Sequence, residues 1–190
     1  VCIDISIEVR DGNNNLVTDY SAAATLSDSD GTANLTITPA SINIVGGVWS
    51  GVVSITEASP VTLEVSGGGL TVDSVGVTMQ AAGLNRFAVT VPSPQETGVV
   101  FTAGAQVVAQ DAYGNTVTGF DASANNVTIT ASNGGSMTNN VLDLAGDFVA
   151  GVADLAGTGK STSYDGSASA TGITFTAASA GPVVNGTSGL

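Results

Sequence analysis

Two stretches of this chain spell the same segment twice. Asp11-Gly-Asn-Asn-Asn-Leu-Val-Thr-Asp-Tyr20 aligns with Asp111-Ala-Tyr-Gly-Asn-Thr-Val-Thr-Gly-Phe120 at a shift of 100 residues. The same shift carries Ile3, Ile5, Ile7 and Val9 onto Ala103, Ala105, Val107 and Ala109, and Gly51-Val52 onto Gly151-Val152. Self-similarity at a fixed offset marks repeated modules, and it has to be read before single elements are assigned. In a chain of 190 residues it implies two copies of one unit, each about 90–100 residues, an ordinary domain size.

Within each copy the hydrophobic period is two. Cys2 to Arg10 alternates Ile3, Ile5, Ile7 and Val9 with Asp4, Ser6, Glu8 and Arg10. Side chains of a strand point to opposite faces in turn, so this run has one apolar and one wet face. Further strands are expected over 48–56, 61–65 and 72–79, then over 86–91, 101–110, 127–130, 148–155 and 172–176. Clusters of Gly, Asn, Asp and Ser separate these runs, as turns require. No window has the 3.6-residue period of an amphipathic helix. Short strands with frequent turns, twice over, predict an all-β chain of two β-sandwiches in tandem.

Charge and missing residue types exclude whole classes of function. The chain has 16 Asp+Glu against 3 Lys+Arg, a net charge of −13. Arg10, Arg86 and Lys160 stand far apart, so the clustered cations of a nucleic-acid surface are lacking. A polybasic grip on anionic lipid fails for the same reason. No apolar run reaches the ~18 residues of a membrane-spanning helix. With no histidine, neither a Ser-His-Asp triad nor a His-ligated zinc site can be assembled. Cys2 is the only cysteine, so no internal disulfide forms. No motif sets two acids across a cleft at glycosidase spacing. The chain opens at Val1 without a signal-peptide pattern, as expected of a processed or trimmed product.

Leu84-Asn-Arg-Phe-Ala-Val-Thr-Val-Pro-Ser-Pro94, then Phe101-Thr-Ala-Gly104, then the Asp111–Phe120 segment resemble the opening of bacterial immunoglobulin-like repeats. The resemblance covers most of the second copy. The first keeps part of the D-x-x-G-N motif, with Asn14 where the second has Gly114. It implies immunoglobulin-like sandwiches and an extracellular or cell-surface location in a tandem array, adhesin or fibre. The expected domains are 1–83, an immunoglobulin-like sandwich lacking its first strand, and 84–180, a complete one. Residues 181–190 are expected to be a tail or linker to a following module.

Nothing before the Cys2 strand matches Leu84–Val100. Two readings stay open. A neighbouring molecule supplies the strand, as in donor-strand complementation, or the sequence is a stretch from inside a longer array. The second is slightly favoured. Either way Ile3, Ile5, Ile7 and Val9 mark a strand-acceptor edge that something has to pair.

The remaining motifs are weighed against ordinary turn and core chemistry. Gly157-Thr-Gly-Lys-Ser-Thr162 resembles a phosphate loop, but Asp154 stands where its first glycine belongs and no helix follows, so a hairpin loop is preferred. Asp28 and Asp30 are candidate calcium ligands, with turn formation the favoured reading. Asn34, Asn126 and Asn185 head glycosylation tripeptides, which would make the chain a glycoprotein, although unmodified asparagine leads. Trp49, Phe87, Phe120 and Phe148 are expected in the core rather than on a sugar-stacking surface. Lys160, the sole lysine, is an unfavourable isopeptide donor among its glycines.

These observations predict a non-enzymatic extracellular structural module that assembles end to end, with copies of itself or neighbouring modules as partners. No cofactor is expected beyond the calcium candidate, and neither nucleic acid nor membrane insertion. The alternative is an adhesion or carbohydrate-binding module.

Overall fold

A computed structural model describes residues 2–31, 35–157, 159–166, 172–180 and 185–187. The chain divides into two compact units, Val1–Gln80 and Ala81–Leu190, each with its own hydrophobic core. All regular structure among the described residues is β, and every strand pairing is antiparallel. The fold is two antiparallel β-sandwiches, one per unit, and among the described residues β1 is the first strand of the first.

The first unit contains β1 (Cys2–Glu8), β2 (Ala22–Asp28), β3 (Ile37–Thr38), β4 (Ser41–Ile44), β5 (Val48–Ile55), β6 (Pro60–Ser66) and β7 (Asp73–Thr78). They form two sheets, ordered β1-β5-β3 and β4-β2-β6-β7. Alternation sorts the faces. Ile37, Val53, Ile55, Ala24, Leu26, Ile42, Ile44, Val61 and Leu63 are buried between the sheets, with intervening polar residues outside.

The second unit contains β8 (Arg86–Thr90), β9 (Gln106–Gln110), β10 (Val127–Ala131), β11 (Ser136–Thr138), β12 (Val141–Leu142), β13 (Val152–Asp154), β14 (Ser163–Asp165), β15 (Phe175–Ser179) and β16 (Asn185–Thr187). One sheet runs β13-β9-β8, a second β12-β10-β15-β16, and β11 pairs with β14. Strand for strand, β12-β10-β15-β16 repeats the order β4-β2-β6-β7. Phe87, Phe120 and Phe148 stack on one another, with centroids 4.7–6.2 Å apart, and Phe101 packs edge-on against Phe175 at 5.1 Å.

The repeated loops match bond for bond. Asp11 N donates to Asn15 O and Asp111 N to Asn115 O, each at 2.9 Å. Val17 N donates to Val9 O and Val117 N to Ala109 O, again at 2.9 Å. The Gly51/Gly151 anchor, in contrast, is a coincidence of sequence. Val9 N donates to Gly47 O, whereas Ala109 N donates to Gly151 O, so the counterpart of Gly151 is Gly47. The bridges Val45↔Val48 and Val149↔Val152 carry the same shift of 104 residues onto the following strands. Gly51 is small for another reason: a Cβ there would lie 2.9 Å from the Trp49 ring.

Both Gly47 and Gly151 have positive φ, 78° and 81°, and each passes over the backbone of the repeated loop. A Cβ would fall 2.2 Å from Val17 O in one and 2.6 Å from Val117 O in the other. Left-handed strain and a backbone clash therefore act together. Gly151→Ala is expected to destabilise the second unit by at least about 2 kcal/mol, read by chemical denaturation, with Gly159→Ala in an open loop as the neutral control.

Four expected spans change, one of them the strand placed at 172–176, which runs instead over Phe175–Ser179. The strand placed at 101–110 starts at Gln106, because Phe101 bonds across to Thr162 O and Gly104 turns the chain at φ 93°. The strand placed at 148–155 is confined to Val152–Asp154, because Ala150 and Gly151 form a left-handed turn. Of the tail 181–190, Asn185–Thr187 pair with β15 and extend its sheet, so that part is not linker. The other tail residues lie outside the described ones.

Candidate strand-acceptor site

The two units differ where β8 stands. In the second unit β9 is flanked on both sides: β13 pairs with it on one, and β8 on the other, with Phe87 opposite Ala109 and Val89 opposite Val107. β8 also packs against β15 and β16, closing the gap between the sheets. In the first unit, β1 is the counterpart of β9. It pairs with β5, Ile7 opposite Trp49 and Glu8 opposite Val48, and forms the outer edge of its sheet.

Burial follows this difference. Ala105, Val107 and Ala109 are 0% exposed, whereas Ile3, Ile5 and Ile7 are only half-buried, although all three pack against the core of the first unit. Val9 is buried, at the point where the repeated loop folds back over it. Between the β1 edge and β6–β7 lies a groove of about 580 Å³, lined by Ile5, Ile7 and Val9 on one side and by Leu63, Val65 and Val75 on the other. Ile44 also lines it, and Leu70 contributes from the loop after β6. Val75 and Leu70 are exposed. The β1 side of this groove is legible in the sequence. The opposite wall is not, because Val72–Met79 reads as an ordinary strand until its partner sheet is known.

The loop beside the edge is held by one carboxylate per unit. Burial pushes the Asp111 carboxyl up, but hydrogen bonds from the Asn115 side chain and from the N–H groups of Ala82, Asn115 and Tyr113 outweigh it and hold it below the ordinary 3.8. The same arrangement from Asn15 and Asn13 lowers the exposed Asp11. Only Asp111 receives an N–H from the segment leading into the opening strand, Ala82 N at 3.0 Å. A depressed folded value means that the contribution is complete above 3.8 and is lost as pH falls through the folded value. Asp111→Asn, which cannot accept all of these donors, is expected to cost about 1.5–3 kcal/mol at pH 7. It should also reduce the loss of stability seen on acidification below 3.8, measured by denaturation at several pH values.

The other candidates stand apart from the groove. Asp28 accepts from Asp30 N at 3.2 Å within the turn, and Asp30 accepts from Thr62 N of β6 at 2.9 Å. Among the described residues no group of three or more His, Cys, Asp or Glu is placed to hold a metal. Asn126 is exposed immediately before β10, Asn185 begins β16, and Asn34 lies outside the described residues. Lys160 donates to Val141 O and pairs with Asp147 at 2.8 Å, which ties its loop to the segment that follows β12. Trp49 is half-buried, and Phe87, Phe120 and Phe148 point inward, leaving no sugar-stacking platform among them.

No protein-family model and no curated protein matches this chain. Among solved structures it is similar to the D0-D1 domain of intimin, at 12% identity and a TM-score of 0.33, covering 99% of this chain and 87% of that one. It is similar to domains 5-6 of the S-layer protein SbsC, at 16% identity and a TM-score of 0.30, covering 99% and 89%. A β-glycosidase from Bacteroides vulgatus gives 12% identity and a TM-score of 0.34, with 24% of that chain covered. Likenesses this distant carry no argument about function.

Proposed function

We propose that this chain is a non-enzymatic, extracellular structural module of a bacterial surface array or fibril. Its two units are copies of one module, and the first is completed by a β-strand from outside residues 2–79. The observation that carries the reading is the free edge of β1, where the second unit holds β8. The resemblance of the Leu84–Phe120 motifs to bacterial immunoglobulin-like repeats supports the location. A structural role is supported by the carboxyl groups Asp11, Asp111 and Asp147. Each is held below its ordinary value by the loop it organises: Asp11 by Asn15 and Asn13, Asp111 against its burial by Asn115 and neighbouring N–H groups, and Asp147 against its burial by Lys160 and the N–H groups of Leu144 and Asp143.

An edge strand exposes a row of backbone donors and acceptors and half of its apolar face, so it pairs readily with an added strand. Amide exchange on the monomeric 190-residue chain tests the premise. Protection at residues 3–7 should fall at least about 100-fold below that at residues 107–109, as local opening of an unflanked strand requires. Equal protection in a monodisperse monomer would show a first sandwich that needs no further strand.

A further inference from the structure

Resting on the strand-acceptor reading, we infer what the groove takes and in which register. The occupant is an opening strand from outside residues 2–79, running antiparallel to β1 as β8 runs antiparallel to β9. It differs from β8 at one position: it carries glutamate or glutamine, not arginine, immediately before its aromatic residue.

The second unit supplies the template. Phe87 lies opposite Ala109 and fits against Phe120 and Phe148. The counterparts in the first unit are Val9, Tyr20 and Ile44, which place the aromatic subsite at the Val9 end of β1. Val9 and Ile44 both line the groove. Ile44 is smaller than Phe148, and Tyr20, which packs against the first unit's core, donates to Gly68 O at 3.3 Å. The next inward positions of the occupant then face Ile7 and Ile5, as Val89 faces Val107. These inward places ask for aliphatic side chains.

The wet face fixes the difference. In the second unit Arg86 of the opening strand stands opposite Gln110 and donates to its Oε1 at 3.0 Å. A Cβ on Gly114 would lie 3.1 Å from the Arg86 guanidinium, so that group sits beside the repeated loop. In the first unit the guanidinium belongs to the acceptor strand. Arg10 occupies the place of Gln110, donates to Asn14 O at 2.8 Å beside the same loop, and pairs with Glu8. The donor has moved from one strand to the other. A β8-like strand would set arginine against Arg10, a like-charge pair directly across the ladder. A strand with an acceptor there restores the Arg–Gln pair with its members exchanged.

The test uses the full 190-residue chain and labelled peptides spanning Leu84–Gln95, read by fluorescence anisotropy at physiological ionic strength and by amide exchange at residues 3–9. The peptide carrying Arg86→Glu should bind about 3- to 10-fold more tightly than the peptide with Arg86. The net charge of −13 favours the cationic peptide instead, so this order can come only from the local pair. Arg10→Glu, an exposed substitution, should reverse the order, and Phe87→Ser in the peptide should abolish binding. Equal affinities, or an order that Arg10→Glu leaves unchanged, would overturn the register while leaving strand acceptance intact. A Phe87→Ser peptide that binds as well as its parent would do the same. If the chain alone self-associates through β1, the occupant is a strand of a second copy and the glutamate requirement falls. If no peptide binds or protects β1, the strand-acceptor reading falls with the inference.

Discussion

Phe87→Ala is expected to cost the second unit about 3–5 kcal/mol, close to what a small domain can lose before unfolding. Phe87 is 2% exposed and is the ring that joins the opening strand to the core, edge-on to Phe120 at 5.4 Å and against Phe148 at 6.2 Å. Truncation removes the burial of a large ring and leaves a cavity between Phe120 and Phe148 that β8 cannot close alone. The first unit has its own core and should unfold as before. Two denaturation transitions, followed by the single Trp49 for the first unit and by amide exchange at Ile129 and Ala177 for the second, separate the effects. An unchanged second transition would show that β8 contributes little to its sandwich, and the parallel with the first unit would lose its basis.

How much of this was legible beforehand depended on side-chain size. Strands rich in Ile and Val, such as Ile3–Val9, Val48–Ile55 and Val61–Val65, announce themselves by alternation. β2 does not. Ala22–Asp28 carries three alanines, a serine and an aspartate, residues depleted in strands, and becomes an interior strand of its sheet, between β4 and β6, with Ala24 and Leu26 buried in the core. β11, β12 and β14 are two or three residues long, too short for any period to show. The Gly151 anchor failed for a related reason. Glycine spacing alone cannot separate a left-handed turn from a glycine that makes room for a ring, and only the hydrogen bonds to Val9 and Ala109 set the true offset. The open edge was legible because it is an absence at the level of whole strands. Its opposite wall required knowing that β7 follows β6 in the other sheet.

Placing Leu84–Val100, the second unit's own opening strand and connector, ahead of Val1 should stabilise the first unit substantially. The connector is the natural one, since at the shift of 100 residues Val1 takes the place of Phe101. Three inward side chains, the equivalents of Phe87, Val89 and Val91, would leave water, worth about 1.5–3 kcal/mol each. A ladder of about five backbone hydrogen bonds adds about 1 kcal/mol each. Ordering about six strand residues opposes this by about 1–2 kcal/mol each, and the tether removes most of the cost of association. The balance is about 3 kcal/mol in favour, which for a domain of this size raises the melting temperature by about 10–20 °C. Arg86→Glu in the grafted segment should raise it further by removing the clash with Arg10, and Phe87→Ser should return it to that of the ungrafted chain. Calorimetry of the three grafted chains decides the matter. A first unit that melts at the same temperature with and without the graft would mean that the groove beside β1 does not accept a strand.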